Sequence, residues 1–285
     1  MIQVQDLFYR YVESTEPVLK NISMVIHEGE YMAIIGPNGC GKTTLVRHLN
    51  GLLRPTEGDV RIDEMNTRDP LALKLIRRKV GMVFQNPDNQ LVGMTVEEDV
   101  SFGPGNLNLP PPEIRTRVEE SLEVVGMKKY AKSPPFALSA GEKQLVAIAG
   151  VLAMNPQYIV FDEPTAYLDP SARGKILQVM RELNGRGITI VHVTHNMDDI
   201  AQADRVFVMN EGTMTINDEP ARVFSRVEWL KSMGLGVPKI TELMWKLSEM
   251  GAEVNPHIFT VDDACNEICA LLKRQEGHRT QSEVQ

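Results

Sequence analysis

The sequence has few cysteines and no long apolar run. Only 3 of its 285 residues are cysteines, which is typical of a reducing compartment, and without a histidine pair they make a poor zinc set. We interpret Cys265 and Cys269 as half-buried thiols on a helix. No uninterrupted apolar stretch approaches the roughly 18 residues that a membrane span needs, and the first residues lack the features of a signal peptide. We therefore expect a soluble cytoplasmic protein.

The sequence also lacks an excess of basic charge. Its 38 acidic residues outnumber its 30 basic residues, the net charge is −8, and no block rich in Lys and Arg stands out. A protein that binds nucleic acid through the phosphate backbone needs such a block. We therefore expect no nucleic acid as a main partner. The length suits one large α/β domain with an appendage.

What the sequence does contain is a glycine-rich loop between a predicted strand and a predicted helix. Residues 36–44 read GPNGCGKTT, after the apolar run 31–35 and before a helical pattern. Backbone N–H groups in such a loop can surround a phosphate chain, and the helix N-terminus adds partial positive charge. Lys42 would reach the β- and γ-phosphates, and the Thr43 hydroxyl would coordinate Mg²⁺. A glycine turn that merely joins strand to helix does not account for these residue types at these offsets.

Two acidic residues follow a second apolar strand. Residues 158–161 are predicted as a buried strand, and Asp162 and Glu163 come at its end. Neighbouring parallel strands would bring Lys42 and Asp162 to the same carboxyl edge of a sheet. There Asp162 would hold Mg²⁺ through water, and Glu163 would orient the water that attacks the γ-phosphorus. The alternative is a turn that caps the following helix.

Two further strands end in side chains suited to a phosphate edge. Gln85 ends the strand predicted at 80–84, and His195 ends the β-branched strand predicted at 188–194. Gln85 can bond both a magnesium ligand and the attacking water, and His195 can contact the γ-phosphate. A packed or solvated histidine is the alternative for His195. These positions predict Glu163, His195 and Gln85 as the catalytic residues.

Other side chains near the loop carry weaker predictions. Phe8, Tyr9 and Tyr11 lie on the first strand arm, where one aromatic ring can stack on adenine, and we choose Tyr11. The alternative is packing at the edge of a sheet. Cys40 is predicted to face the phosphates, where the helix dipole and Lys42 would favour a thiolate, and alkylation of this thiolate should block nucleotide binding.

A further helix is predicted to begin after a serine that caps its N-terminus. Ser139 and Glu142 have the spacing of a capping box before the apolar helix 144–154. The exposed N–H groups of that helix end can serve as a cap alone or as a second anion site, and the two interpretations are compatible. This helix belongs to a helical insertion at about 87–155, between two strands of the central sheet. The turn-rich segment 85–90 would join the sheet to this insertion, beside a cleft for a partner helix.

With these motifs in order, the chain resembles an ATP-binding cassette (ABC) ATPase over about residues 1–225. The resemblance implies an α/β P-loop NTPase fold with an antiparallel β arm, a helical subdomain and a small C-terminal helical extension. It also implies a head-to-tail dimer, in which Ser139 and Gly141 of one subunit complete the ATP site of the other. Ala140, Glu142 and Leu145 depart from the family signature, so we expect this composite site to be weakened.

The motifs and the resemblance together define the expected ligand set, with ATP and Mg²⁺ as cofactors. The residues expected to bind ATP are Tyr11, Gly36, Asn38, Gly39, Cys40, Gly41, Lys42, Thr43, Thr44, Ser139, Gly141 and Asp169. The residues expected at Mg²⁺ are Thr43, Gln85 and Asp162.

A finer resemblance is to the ATPase subunits of energy-coupling factor (ECF) importers, including their cobalt and nickel members. It depends on residues 83–90, 101–103, 229–235 and 237–243. It implies uptake of a vitamin or a transition-metal ion, powered by an ATPase that lies at the cytoplasmic face of the cell membrane as a peripheral protein. The implied partners are a second ATPase subunit, identical or different, a transmembrane coupling protein and a membrane substrate-binding subunit.

The resemblance also predicts the domain limits and leaves two other functions open. We expect an ATP-binding domain at 1–224, a helical extension that contacts the other ATPase at 225–276, and a polar flexible tail at 277–285. One alternative is the ATPase of a conventional ABC transporter. The other is a soluble ABC protein that acts on nucleic acid or ribosomes, although such chains usually carry two cassettes or a long coiled coil.

Overall fold

The computed structural model describes residues 1–200 and 202–282, and side chains as far as residue 273. Within these residues the strands are β1 Ile2–Tyr9, β2 Leu19–Ile26, β3 Tyr31–Ile35, β4 Glu57–Ile62, β5 Met65–Asn66, β6 Val80–Val83, β7 Tyr158–Asp162, β8 Thr189–Val193, β9 Arg205–Asn210 and β10 Thr213–Asp218. The helices are α1 Lys42–Leu49, α2 Leu73–Lys79, α3 Val96–Asn106, α4 Pro111–Val124, α5 Ala140–Leu152, α6 Pro170–Gly185, α7 Pro220–Phe224, α8 Val227–Ser232, α9 Lys239–Glu249 and α10 Val261–Ser282.

The central sheet of the described chain has the strand order β10-β9-β3-β8-β7-β6. Its strands β9, β3, β8, β7 and β6 run parallel, and β10 closes the edge as an antiparallel hairpin with β9. Strands β3, β7 and β8 are buried at every position, which is why their sequences are mostly apolar rather than alternating, with Asp162 in β7 and Thr189 and His192 in β8 as buried polar residues. This sheet brings the carboxyl ends of the motif-bearing strands to one edge.

One expected strand neighbour is wrong. The strand before Lys42 is β3 and the strand that ends at Asp162 is β7, but β8 lies between them and pairs with both. The two strands still end at the same edge because all three are parallel. The inserted strand also brings His195 between the two motifs.

The predicted β arm and helical subdomain are present. The arm is a second sheet of order β2-β1-β4-β5, antiparallel throughout the described pairs. It packs with α1 and α2 on one face of the central sheet, against Met32 and Ile34, whereas α3 to α8 pack on the other face, against Ala33 and Ile35. The helical subdomain consists mainly of α3, α4 and α5 and lies between β6 and β7. The predicted fold class is confirmed.

The C-terminal extension has a small core of its own. Met244, Val254 and Ala264 form a buried cluster between α9 and α10. Helix α10 runs to Ser282, so the described part of the segment expected as a flexible tail is helical, and 283–285 lie outside the described residues. Cys265 and Cys269 are exposed on α10, so the prediction of half-buried thiols is wrong. None of the described helices has both the length and the apolar character needed to cross a bilayer.

Candidate nucleotide site

The loop between β3 and α1 adopts a conformation that its glycines permit. Gly39 and Gly41 have φ values of 80° and 102°, a region that residues with a Cβ rarely occupy. A Cβ at Gly41 would also lie 2.9 Å from the Leu19 side chain. The chain therefore needs glycine here for two independent reasons, and the loop can curl at the start of α1.

Lys42 points back into this loop. Its side chain is buried, and Nζ donates hydrogen bonds to the carbonyl oxygens of Gly36 at 2.8 Å and Pro37 at 3.0 Å. Helix α1 carries no acidic residue in its first turn, so its partial positive end and the ammonium act on the same space. This arrangement can bind a compact polyanion.

A hydroxyl and a carboxylate meet where the sequence places a metal ion. Thr43 Oγ1 donates to Asp162 Oδ1 at 2.9 Å, across the gap between α1 and the end of β7. Burial raises the pKa of the Asp162 carboxyl, while the Thr43 bond and the Arg47 and Lys42 charges oppose this shift. Hydroxyl and carboxylate oxygens are hard ligands, so this pair fits Mg²⁺.

Glu163 lies between the other two predicted catalytic side chains. Its Oε2 accepts a hydrogen bond from Gln85 Nε2 at 3.1 Å and lies 3.3 Å from His195 Nδ1. Gln85 follows β6 and His195 follows β8, on either side of β7 in the sheet. The structure thus brings together three residues that are far apart in the sequence. A carboxylate held in this way can accept a proton from water.

Ser139 caps α5 as predicted. Its hydroxyl accepts the Glu142 N–H at 3.4 Å, and the Glu142 carboxylate accepts the Ser139 N–H at 3.0 Å. The Ser139 hydroxyl also donates to Glu142 Oε2 at 2.8 Å, and this bond and the one from the Ser139 N–H hold the pKa of the Glu142 carboxyl below its usual value. Among the described residues, no hydrogen bond joins Ser139 to the loop of Lys42. A role for Ser139 and Gly141 at ATP within a composite site therefore stays a prediction.

Asp169 has a local structural role. Its carboxylate accepts the backbone N–H groups of Ser171 at 2.9 Å and Ala172 at 3.1 Å, which caps α6. Gly141 lies against the same helix, since a Cβ on it would come within 2.5 Å of the Ala172 Cβ. Asp169 at ATP likewise stays a prediction.

Tyr11 lies beside the phosphate loop. Its hydroxyl is 3.1 Å from Thr44 Oγ1, and its ring packs edge-on against Tyr9 at 4.9 Å between centroids. Tyr11 is 38% exposed, which is compatible with stacking, and its contact with Tyr9 also fits the packing alternative. Adenine stacking by Tyr11 stays a prediction.

The expectation of a reactive Cys40 is wrong. Its side chain is only 5% exposed and belongs to the apolar cluster beneath the sheet. Burial raises the pKa of the thiol, and the nearby Lys42 charge only partly opposes this effect. Cys40 can therefore offer its backbone to a phosphate, but it does not present a thiolate to reagents.

The sequence reasoning missed His48. It is fully buried on α1, and Nδ1 lies 2.7 Å from the carbonyl oxygen of Thr44. Its ring packs edge-on against Tyr9 at 4.7 Å, and burial lowers its pKa to about 4, so the imidazole is neutral near pH 7. Its position four residues after Thr44 on an amphipathic helix is the sequence pattern that could have predicted this burial.

This fold and this geometry define an ATPase of the ATP-binding cassette type. The family model described as "ABC transporter" matches residues 19–166, and the chain belongs to this family. It is 56% identical over 270 residues to the cobalt import ATP-binding protein CbiO of Syntrophus aciditrophicus, covering 95% of this chain and 96% of that protein. It is 48% identical over 276 residues to the energy-coupling factor transporter ATP-binding protein EcfA1 of Clostridium perfringens, covering 95% and 98%.

Solved structures agree. The chain is similar to cbiO1 of Clostridium perfringens, described as part of the ABC transporter complex cbiONQ, with a TM-score of 0.74, 41% identity, and coverage of 85% and 98%. It is also similar to the cassette MJ0796 in a dimeric state bound to ADP and Pi, with a TM-score of 0.70, 34% identity, and coverage of 77% and 98%. The resemblance to ECF and cobalt-type ATP-binding subunits is confirmed, and the chain is an ATP-binding ATPase.

Proposed function

We propose that this chain is the ATP-hydrolysing subunit of an ECF-type importer that takes up a transition-metal ion such as cobalt, or a vitamin. The observation that carries the hydrolytic part is the position of the Glu163 carboxylate between Gln85 and His195, beside the Thr43–Asp162 pair. The relatives named for cobalt import and energy coupling support the importer part. In this proposal a separate membrane subunit selects the solute, so the residues of this chain do not identify it.

In the proposed reaction, each side chain acts on one part of the phosphate chain. Lys42 binds the β- and γ-phosphates, and Glu163 takes the proton of the attacking water. His195 would contact the γ-phosphate, and Gln85, which bonds Glu163, would also help to hold the metal ion. Mg²⁺ bound by Thr43, Gln85 and, through water, Asp162 would neutralise phosphate charge.

We infer that two ATPase subunits close on the nucleotide. Ser139 and Gly141 of one subunit would face the ATP bound to the other, and Asp169 would lie at the same interface. The dimeric form of the similar cassette MJ0796 supports this arrangement. The helices α9 and α10, with their separate small core, would supply the second contact between the subunits.

A groove beside the helical subdomain suits a membrane partner that couples closure to transport. It has a volume of about 730 Å³ and lies between α2, α3 and α5. Phe102 on α3 is 58% exposed at its wall, and Val92 beside it is also exposed. A short amphipathic helix from the transmembrane coupling protein would fit there.

The groove is linked to the catalytic side by the segment 85–90. Asp88 Oδ1 accepts a bond from Lys143 Nζ at 2.7 Å, and the Gln144 amide donates to the carbonyl oxygen of Phe84 at 3.0 Å. Both lysine and glutamine lie in the first turns of α5, directly after Ser139. Movement of Gln85 with the γ-phosphate would therefore reach the groove and the signature end together. In this arrangement the ATPase is peripheral, on the cytoplasmic face of the membrane.

The proposed function is tested by uptake into vesicles that contain this chain and its membrane partners. We expect ATP-dependent accumulation of either radiolabelled Co²⁺ or one labelled vitamin, and none with Glu163→Gln. Accumulation of neither solute class, with an ATPase rate that the membrane proteins do not alter, would contradict the importer assignment. That outcome would favour one of the other ABC classes.

The groove is tested by Phe102→Ser. Because an aromatic anchor at an interface commonly contributes about 2 kcal/mol or more, we expect affinity for the membrane partner to fall by roughly 30-fold, with uptake reduced in parallel. Basal ATPase activity of the isolated chain should stay near wild type. Met214→Ser removes an exposed methionine on β10, at the opposite edge of the sheet, and serves as the matched control. Equal affinity for Phe102→Ser and Met214→Ser would rule out docking in this groove.

A further inference from the structure

Two adjacent carboxylates follow His195 and have different surroundings. The Asp199 side chain has 0% exposure, and its two oxygens are engaged separately. Oδ2 accepts the Thr165 hydroxyl at 3.0 Å, and Oδ1 accepts Arg173 Nε at 2.6 Å. Asp198 instead accepts the backbone N–H of Lys239 at 2.9 Å, at the surface. Only Asp199 therefore reaches the interior beside the catalytic residues.

The loop that Asp199 contacts is strained. Glu163 and Tyr167 have φ values of 51° and 63°, in the left-handed region that side chains with a Cβ seldom adopt. Tyr167 is 94% exposed, so burial of its own ring does not hold it there. Strained backbone of this kind persists only where surrounding contacts fix it. Thr165 lies between the two strained residues and is the one that Asp199 holds.

The same carboxylate joins this loop to the turn that carries His195. Asp199 lies four residues after His195 in a short 3₁₀ turn, Met197–Ile200. The Glu163 backbone N–H also donates to the carbonyl oxygen of Val193 at 2.9 Å, just before His195. Glu163, Thr165, Arg173 and His195 line one cavity of about 200 Å³. Glu163 and His195 therefore line the same cavity, and Asp199 bonds Thr165 and Arg173, which also line it.

We propose that Asp199 is a positioning residue for ATP hydrolysis, which holds Thr165 and Arg173 so that Glu163 stays in register with His195. This inference rests on the proposed roles of Glu163 and His195. Asp199 does not touch the reacting atoms and acts through the backbone of the strained loop. Without it, the loop relaxes, and the 3.3 Å approach of His195 Nδ1 to Glu163 Oε2 is lost.

The charge of Asp199 matters as well as its shape. Arg173 donates to Oδ1, and its charge opposes the rise in the carboxyl pKa that burial causes. In Asp199→Asn, an amide of the same size either turns its NH₂ toward the Arg173 guanidinium, so that two donors face each other, or turns it toward the Thr165 hydroxyl, which then loses its acceptor oxygen. Thr165→Val removes only the hydroxyl and leaves the ion pair. The two substitutions therefore disrupt the bond between Thr165 and Asp199, one at the carboxylate and the other at the hydroxyl, with little change in side-chain volume.

The test compares steady-state hydrolysis by Asp199→Asn and Thr165→Val with that by Asp198→Asn. Because a displacement of about 1 Å can cost roughly 100-fold, we expect kcat to fall by about 10- to 100-fold in the first two, with KM for ATP within about threefold of wild type. The kcat of the double variant, Asp199→Asn with Thr165→Val, should lie within about twofold of the kcat of Asp199→Asn, because both substitutions disrupt the same bond between residues 165 and 199. Asp198→Asn should keep its kcat.

Several results would overturn the proposal. One is a kcat near wild type in either Asp199→Asn or Thr165→Val. Another is a loss of ATP affinity as large as the loss of kcat, and a third is an equal loss in Asp198→Asn. If Asp199→Asn does not fold, judged by its thermal melt, Thr165→Val decides alone. Glu163→Gln is measured beside them: normal turnover there contradicts the proposed catalytic role, whereas a slow Glu163→Gln with a normal Asp199→Asn contradicts only the positioning role.

Discussion

Glu163→Gln is expected to lower steady-state ATP turnover by roughly 10²–10⁴-fold while it leaves ATP binding nearly intact. The substitution keeps the size of the side chain and its capacity to bond Gln85, whose amide reaches Oε2 at 3.1 Å. It replaces the carboxylate with an amide, which cannot accept a proton from the attacking water. Binding survives because the phosphates are met by the loop backbone and Lys42 rather than by Glu163. Steady-state hydrolysis and equilibrium binding of a fluorescent ATP analogue measure the two effects separately.

A matched control for this variant lies on α6. Glu182 is an exposed glutamate that accepts a bond from Gln178, outside the site, and Glu182→Gln should hydrolyse ATP like wild type. If Glu163→Gln turned over ATP as fast as Glu182→Gln, Glu163 would not be the base. If it lost ATP binding as well, its main role would be structural.

Lys42→Ala is expected to weaken ATP binding by at least about 30-fold, because removing one partner of a buried charge pair costs about 2–5 kcal/mol. The Lys42 ammonium is buried inside the loop, where its partners are the carbonyl oxygens of Gly36 and Pro37. Alanine leaves the loop backbone in place but removes the only charge on this side chain. Isothermal titration with ATP measures the loss, and inorganic tripolyphosphate tests whether it lies at the phosphates.

The control for Lys42→Ala is a lysine outside the site. Lys79 on α2 pairs with Asp63, and Lys79→Ala should bind ATP like wild type. A thermal melt of both variants separates lost binding from lost folding. Wild-type affinity in Lys42→Ala would mean that the loop amides alone bind the phosphates.

The local elements of the site were predictable because each is written within a few residues. The loop 36–41 needs glycine for its φ values, and α1 begins directly after it at Lys42. The capping box at Ser139 and Glu142 depends on a spacing of three residues along one chain segment. Such patterns predicted the strand, loop and helix around Lys42 and the start of α5.

The sequence by itself determined the P-loop, the polar residues that end β6, β7 and β8, and membership of the family, since these depend on residue types at short spacings. Only the tertiary structure decided that β8 lies between β3 and β7, because buried parallel strands have similar, mostly apolar sequences and their order is not encoded locally. It likewise decided that Cys40 points into the core and that Asp199 bonds Thr165 in the loop that follows Glu163. Burial and long-range hydrogen bonds change the chemistry of a side chain, and they exist only once distant segments have packed together.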